Sequence, residues 1–200
     1  MGYLRQIDES EATGEAAELY AADRAEGGYV ANYTRTFAPR PAAYRAWEAL
    51  VGAVRAPMTL RRYEVVTLAA ARALRSSYCS LAHGAVVSER LGAPEVVAAV
   101  FEAPDGPGGS PLDAAEQEVV RFAAKVARSA PDITADDVAR LRAQGLSDED
   151  VLDVVLATAA RCFFSTVLDA TGTLPDAALR DRLDPALREV LVVGRPIDEG

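Results

Sequence analysis

Apolar residues recur at helical spacing along almost the whole chain, and no segment sustains the apolar/polar alternation of a half-buried strand. Residues 10–23 join a cap candidate, Ser10, to early glutamates and an apolar face, and Gly27-Gly28 breaks that pattern. Pro41 suits the first turn of a second helix, whose face carries Tyr44, Trp47, Leu50 and Val51. Pro57 is expected to open a third, with Leu60, Tyr63, Glu64, Thr67, Leu68 and Ala71 on one stripe. Arg75-Ser76-Ser77 interrupts it. A new helix is predicted over 78–91, stopped by Gly92, and a short one follows Pro94.

The second half punctuates itself more clearly. The run APDGPGGSP over 103–111 is a loop, after which Ser110-Pro111 is expected to cap a helix reaching about residue 128. Thr134 with Asp137, and Ser147 with Asp150, have capping-box spacing with Asp in the Glu position. The helix over 147–170 is long and strongly apolar on one side. Residues 185–193 are expected to form a short peripheral helix, with 190–193 the one stretch of any strand character.

The prediction is an all-α single domain: a helical domain over 1–175 with its core at about 40–172, and a C-terminal extension over 176–200. Two hundred residues suffice for one full core. Abundant alanine and an aromatic share of only 6% favour helices packed through small side chains.

Charge narrows the partners. A formal net charge of −9 repels phosphate backbones, and the arginines are scattered, so nucleic acid is not an expected partner. The N-terminus has no signal-peptide core, and the apolar runs at 65–71 and 154–160 end at Arg72 and Arg161. No membrane association and a cytoplasmic location are expected. There Cys79 and Cys162 are two thiols sooner than a disulfide.

The chemistry concentrates between Glu64 and His83. Cys79 and His83, the only histidine, are four apart and share one helix face. With Ser76 or Ser77 as N-cap, Cys79 falls in the first turn, where free N–H groups and the helix dipole favour a thiolate. His83 is placed to accept the thiol proton. Glu64 approaches the same point if its helix folds back at 75–77. A buried core cysteine beside a half-buried histidine is the ordinary alternative. One Cys, one His and one Glu are a poor metal set, so neither metal nor organic cofactor is expected. Tyr78 is placed to line a pocket, though packing with its hydroxyl in water is commoner for such a residue.

This segment resembles the signature of the alkylhydroperoxidase D / carboxymuconolactone decarboxylase superfamily: a Glu on one helix, then Cys-x-x-Cys-x-x-x-His opening the next. Glu64, Cys79 and His83 match, and Ser76 stands at the first cysteine. EATGEAAELY, the Trp47 helix and AARCFFSTVLDATG are also similar to segments of the peroxidase-related members, so the likeness spans about residues 10–175. The resemblance implies an AhpD-like helical bundle. It also implies reduction of hydrogen peroxide or organic hydroperoxides by Cys79 with a His83/Glu64 proton relay, and assembly as a dimer, trimer or hexamer.

Ser76 cannot form the family's disulfide. A Cys79 sulfenic acid would therefore need an external thiol, a redox partner protein or Cys162 to return it to the thiol. For Cys162 a small apolar core role is the simpler expectation; for Ser76, helix capping. A carboxymuconolactone decarboxylase-like lyase, or a non-catalytic redox-sensing or oligomeric helical protein, are the alternatives. Trp47 and Phe163-Phe164 are expected as core or subunit contacts, and the rich apolar face over 147–170 points to a homo-oligomer.

Overall fold

A computed structural model describes residues 2–102 and 110–200. The chain runs through α1 (Gly14–Gly27), α2 (Asn32–Phe37), α3 (Pro41–Arg55), α4 (Leu60–Leu74) and α5 (Ser77–Val86). A π-helical turn (Val87–Leu91) extends α5, and α6 (Pro94–Glu102), α7 (Ala114–Ser129), α8 (Ala135–Ala143), α9 (Asp148–Ala170) and α10 (Pro185–Leu191) follow. Among the described residues there is no strand, so the fold is all-α; residues 190–193 hold the end of α10 and irregular backbone.

Helix α4 is the axis of the bundle. Its residues 63–71 are buried without interruption, as expected of a helix surrounded by α5, α6, α7 and α9. Only small or β-branched residues and one leucine occupy 65–71, which lets four neighbours approach it closely. Helix α9 crosses the same core. With 23 residues and a mean hydropathy of 1.8 over its most apolar window, it is long and apolar enough to cross a membrane. Arg161 still interrupts it, so its apolar runs stay short, as the sequence indicates. Half of that window is buried inside this bundle.

The helix starts show what local sequence governs. Both capping boxes expected at Thr134/Asp137 and Ser147/Asp150 are formed. The start expected at Ser110-Pro111 lies later, because Asp113 and Glu116 make a complete capping box there. Thr59, not Pro57, opens α4, its hydroxyl accepting from the Arg62 amide at 3.2 Å. Helix α1 begins at Gly14, after Thr13 rather than Ser10. The loop expected over 103–111 lies mostly outside the described residues.

The C-terminal helix, expected at the periphery, buries Leu187 and Leu191, the latter completely. Leu191 packs on Gly84 of α5, where an added Cβ would sit 2.6 Å from its methyl. Beyond it, the Gly194 amide donates to Ser77 Oγ at 2.8 Å, and Arg75 Nε donates to the Val193 carbonyl at 3.2 Å. A Cβ on Gly194 would lie 2.1 Å from the Arg75 carbonyl oxygen, so only glycine fits. The chain end thereby braces the α4–α5 turn.

Candidate active site

That turn sets the site. Arg75 closes α4 in the left-handed region (φ 57°), and the Ser76 amide reaches back to the Ala71 carbonyl at 2.9 Å. The chain reverses within two residues, Ser76 becomes the N-cap of α5, and Cys79 falls in its first turn. Ser76 does not cap with its side chain, contrary to expectation; its backbone carbonyl accepts from Ser80 Oγ at 2.8 Å. The reversal lays α5 against α4, and Glu64 Oε2 meets His83 Nδ1 at 2.6 Å. The carboxylate is 2% exposed, and the imidazole is half-buried.

Cys79 is 1% exposed, yet its surroundings are not those of an inert core thiol. Ser165 Oγ donates to its sulfur at 3.1 Å and Arg161 Nη1 at 3.5 Å, both from the same face of α9 one turn apart. Arg161 is itself only 4% exposed. Burial opposes its charge, but Cys79 and Tyr63 beside it outweigh that and hold its pKa above the usual arginine value. Burial pushes the His83 pKa below its ordinary value, the Arg161 charge pushes the same way, and Glu64 pulls against both.

Cys79, His83 and Arg161 line one cavity of about 350 Å³. Its walls are aromatic. The Trp47 and Phe164 rings stack at 4.2 Å, Tyr33 meets Phe164 edge-on at 5.6 Å, and Tyr44 and Tyr63 add to the lining. Phe164 lies in the core and Trp47 packs against it, as expected, and both also wall the cavity; Phe163 is 46% exposed. The Tyr78 ring also lines the cavity. Its hydroxyl is not in water: it donates to Asp176 and accepts from the Tyr33 amide at 3.3 Å. Cys162 is partly buried, lies outside this lining, and burial raises its pKa. Among the described residues, no three His, Cys, Asp or Glu side chains converge as a metal site.

The structure therefore brings His83, Cys79 and Tyr78 to one cavity, with Glu64 joined to it through His83. It adds Arg161 and Ser165, which sequence reasoning missed. The available signal was Arg161 itself, the one charge between residues 154 and 168 of α9.

No protein-family profile and no curated protein matches this sequence. Solved structures do. An uncharacterized peroxidase-related protein from Ralstonia eutropha JMP134, described as an alkylhydroperoxidase AhpD core, superposes with a TM-score of 0.71 at 23% identity, over 89% of this chain and 94% of that one. An uncharacterized peroxidase-related protein from Silicibacter sp. TM1040 gives 0.74 at 23% identity, over 89% and 93%. The debrominase Bmp8, solved as a Cys-to-Ala variant with 2,3,4-tribromopyrrole, gives 0.70 at 17% identity, over 92% and 95%. The chain has the AhpD-like all-α fold.

Proposed function

We propose, from the AhpD-like fold and the geometry around Cys79, that this protein is a thiol-dependent oxidoreductase that reduces hydroperoxides. The observation that carries the proposal is the sulfur held by Ser165 and Arg161 on the wall of the cavity that His83 also lines. Two donors, one of them cationic, face the sulfur where it would carry charge. Glu64 holds His83 Nδ1–H, which leaves the other ring nitrogen of the neutral imidazole as proton acceptor. Its depressed pKa keeps that form populated at neutral pH.

The reaction balances as follows. The Cys79 proton passes to His83. The thiolate attacks the terminal peroxide oxygen, an S–O bond forms as O–O breaks, and the leaving alkoxide takes the proton back from His83. Sulfur is oxidised by two electrons to a sulfenic acid, and ROOH is reduced to ROH. Two equivalents of an external thiol, or one dithiol partner protein, then return Cys79 to the thiol and release water and a disulfide.

A sulfenic-acid trap added after one equivalent of hydrogen peroxide is expected to label Cys79 and leave Cys162 unmodified, as read by peptide mass spectrometry. Cys79 left as an unmodified thiol at a peroxide dose that is consumed would overturn the mechanism. A Cys79–Cys162 disulfide would instead make Cys162 the resolving thiol.

Self-association is part of the proposal. Leu152, Leu156 and Phe163 are 40–55% exposed along one face of α9, and Leu50 of α3 is 50% exposed. Such large apolar side chains in register are costly in water. Leu156→Asp is expected to lower the sedimentation coefficient by at least one assembly step; an unchanged value would remove this face from the interface.

A further inference from the structure

Arg161 holds donor capacity that the peroxide chemistry does not use. A guanidinium has five N–H donors, and an interior guanidinium is ordinarily matched by a carboxylate. Arg161 has no carboxylate partner among the described residues. Nη1 is directed to the Cys79 sulfur, while Nε is buried without any hydrogen-bond partner. The unpaired N–H belongs to a side chain that lines the cavity. Arg55 adds a second cation to the lining, lying over Tyr63 at 5.1 Å, and Glu48 is the one acid in it; Glu64, paired with His83, stands outside the lining.

The volume asks a second question. Hydrogen peroxide is little larger than water, whose share of liquid volume is about 30 Å³, whereas an engineered apolar cavity of roughly 150 Å³ accepts benzene. The cavity here is about 350 Å³ and faced by the flat rings of Tyr33, Tyr44, Trp47 and Phe164. That space suits one substituted ring and is far larger than hydrogen peroxide needs. Offset stacking and edge-to-face contact favour a planar ligand over a flexible chain of equal volume.

We propose that the cavity is the binding site of a planar aromatic acid, its ring against the Trp47–Phe164 wall and its carboxylate against the Arg161 guanidinium. This rests on the cavity being the reacting site, and it names the substrate class: aromatic acids bearing the group that Cys79 attacks. The anion meets guanidinium donors that the Cys79 sulfur leaves unused, and an unreactive aromatic acid occupies the same place as an inhibitor.

Trp47, the only tryptophan, reports directly on the wall. Its fluorescence is followed while the native protein is titrated with benzoate and, separately, with the neutral isostere benzamide. Benzoate is expected to bind at least about tenfold more tightly, the effect of one charge-assisted hydrogen bond in a dry site. Arg161→Gln is expected to bring the two affinities together chiefly by weakening benzoate, and Arg161→Lys to keep part of the preference. Equal affinities in the parent protein, or a preference that survives Arg161→Gln, would overturn the proposal. The parent ratio decides alone if Arg161→Gln does not fold. Peroxide turnover with no benzoate preference would sink this inference and leave the peroxidase; a benzoate preference without any peroxide turnover would do the reverse.

Discussion

Cys79→Ser is expected to turn over hydroperoxide at least about 1,000-fold more slowly than the parent protein, a loss of roughly 4 kcal/mol of transition-state stabilisation. A serine hydroxyl is not ionised near neutral pH, and an uncharged oxygen is a poor nucleophile toward the peroxide bond. The substitution is otherwise mild. Oγ still accepts from Ser165 and Arg161, and the removed volume is small. Retained helical circular dichroism, with melting within a few degrees of the parent, is therefore expected alongside the lost activity. The measurement is peroxide consumption under saturating dithiol. Turnover within tenfold of the parent would exclude sulfur chemistry at Cys79 and leave a lyase of the same fold, or a binding protein, as the reading to pursue.

The fold and half of the site were legible in the sequence because their determinants are local. Glu64, Cys79 and His83 lie within one helical hairpin, so period, cap and turn together bring them near each other. The capping boxes at Thr134 and Ser147 are also local, and both formed. Residues 32–37 show the opposite case. NYTRTF contains weak helix formers and gave no helical signal. Helix α2 is stabilised from far along the chain, by Asp176 Oδ1 on the Asn32 amide at 2.7 Å and Thr173 on Thr36 at 2.6 Å. Arg161 and Ser165 stand 82 and 86 residues from Cys79, and no spacing rule links them to it. Tyr78 was placed at the pocket, but the acid that takes its hydroxyl, Asp176, comes from the segment read as an extension. What stayed hidden is the packing of α9 and the chain end onto the hairpin.

Glu64→Gln separates a charge effect from a hydrogen-bond effect at His83. The amide oxygen can still accept Nδ1–H, so the ring stays oriented, but the negative charge is gone. Burial and Arg161 depress the His83 pKa, and Glu64 is the group that raises it. Removing the charge must carry that pKa further down. With neutral imidazole as the proposed proton acceptor, the rate is expected to fall as pH drops through the His83 value. The acid limb of the pH–rate profile is therefore expected to move to lower pH in Glu64→Gln. The plateau should fall about tenfold, since general acid–base catalysis as a whole contributes roughly 10²–10⁴. Stability follows the same sign. A histidine whose folded pKa lies below its unfolded value of about 6.5 contributes stability above that pH and loses it as pH falls toward the folded value. Glu64→Gln widens that interval, so its melting temperature should drop more steeply than the parent's on acidification from about pH 6.5. An acid limb that moves upward, or one that vanishes because the carboxylate itself was the base, would remove His83 from the role of proton acceptor.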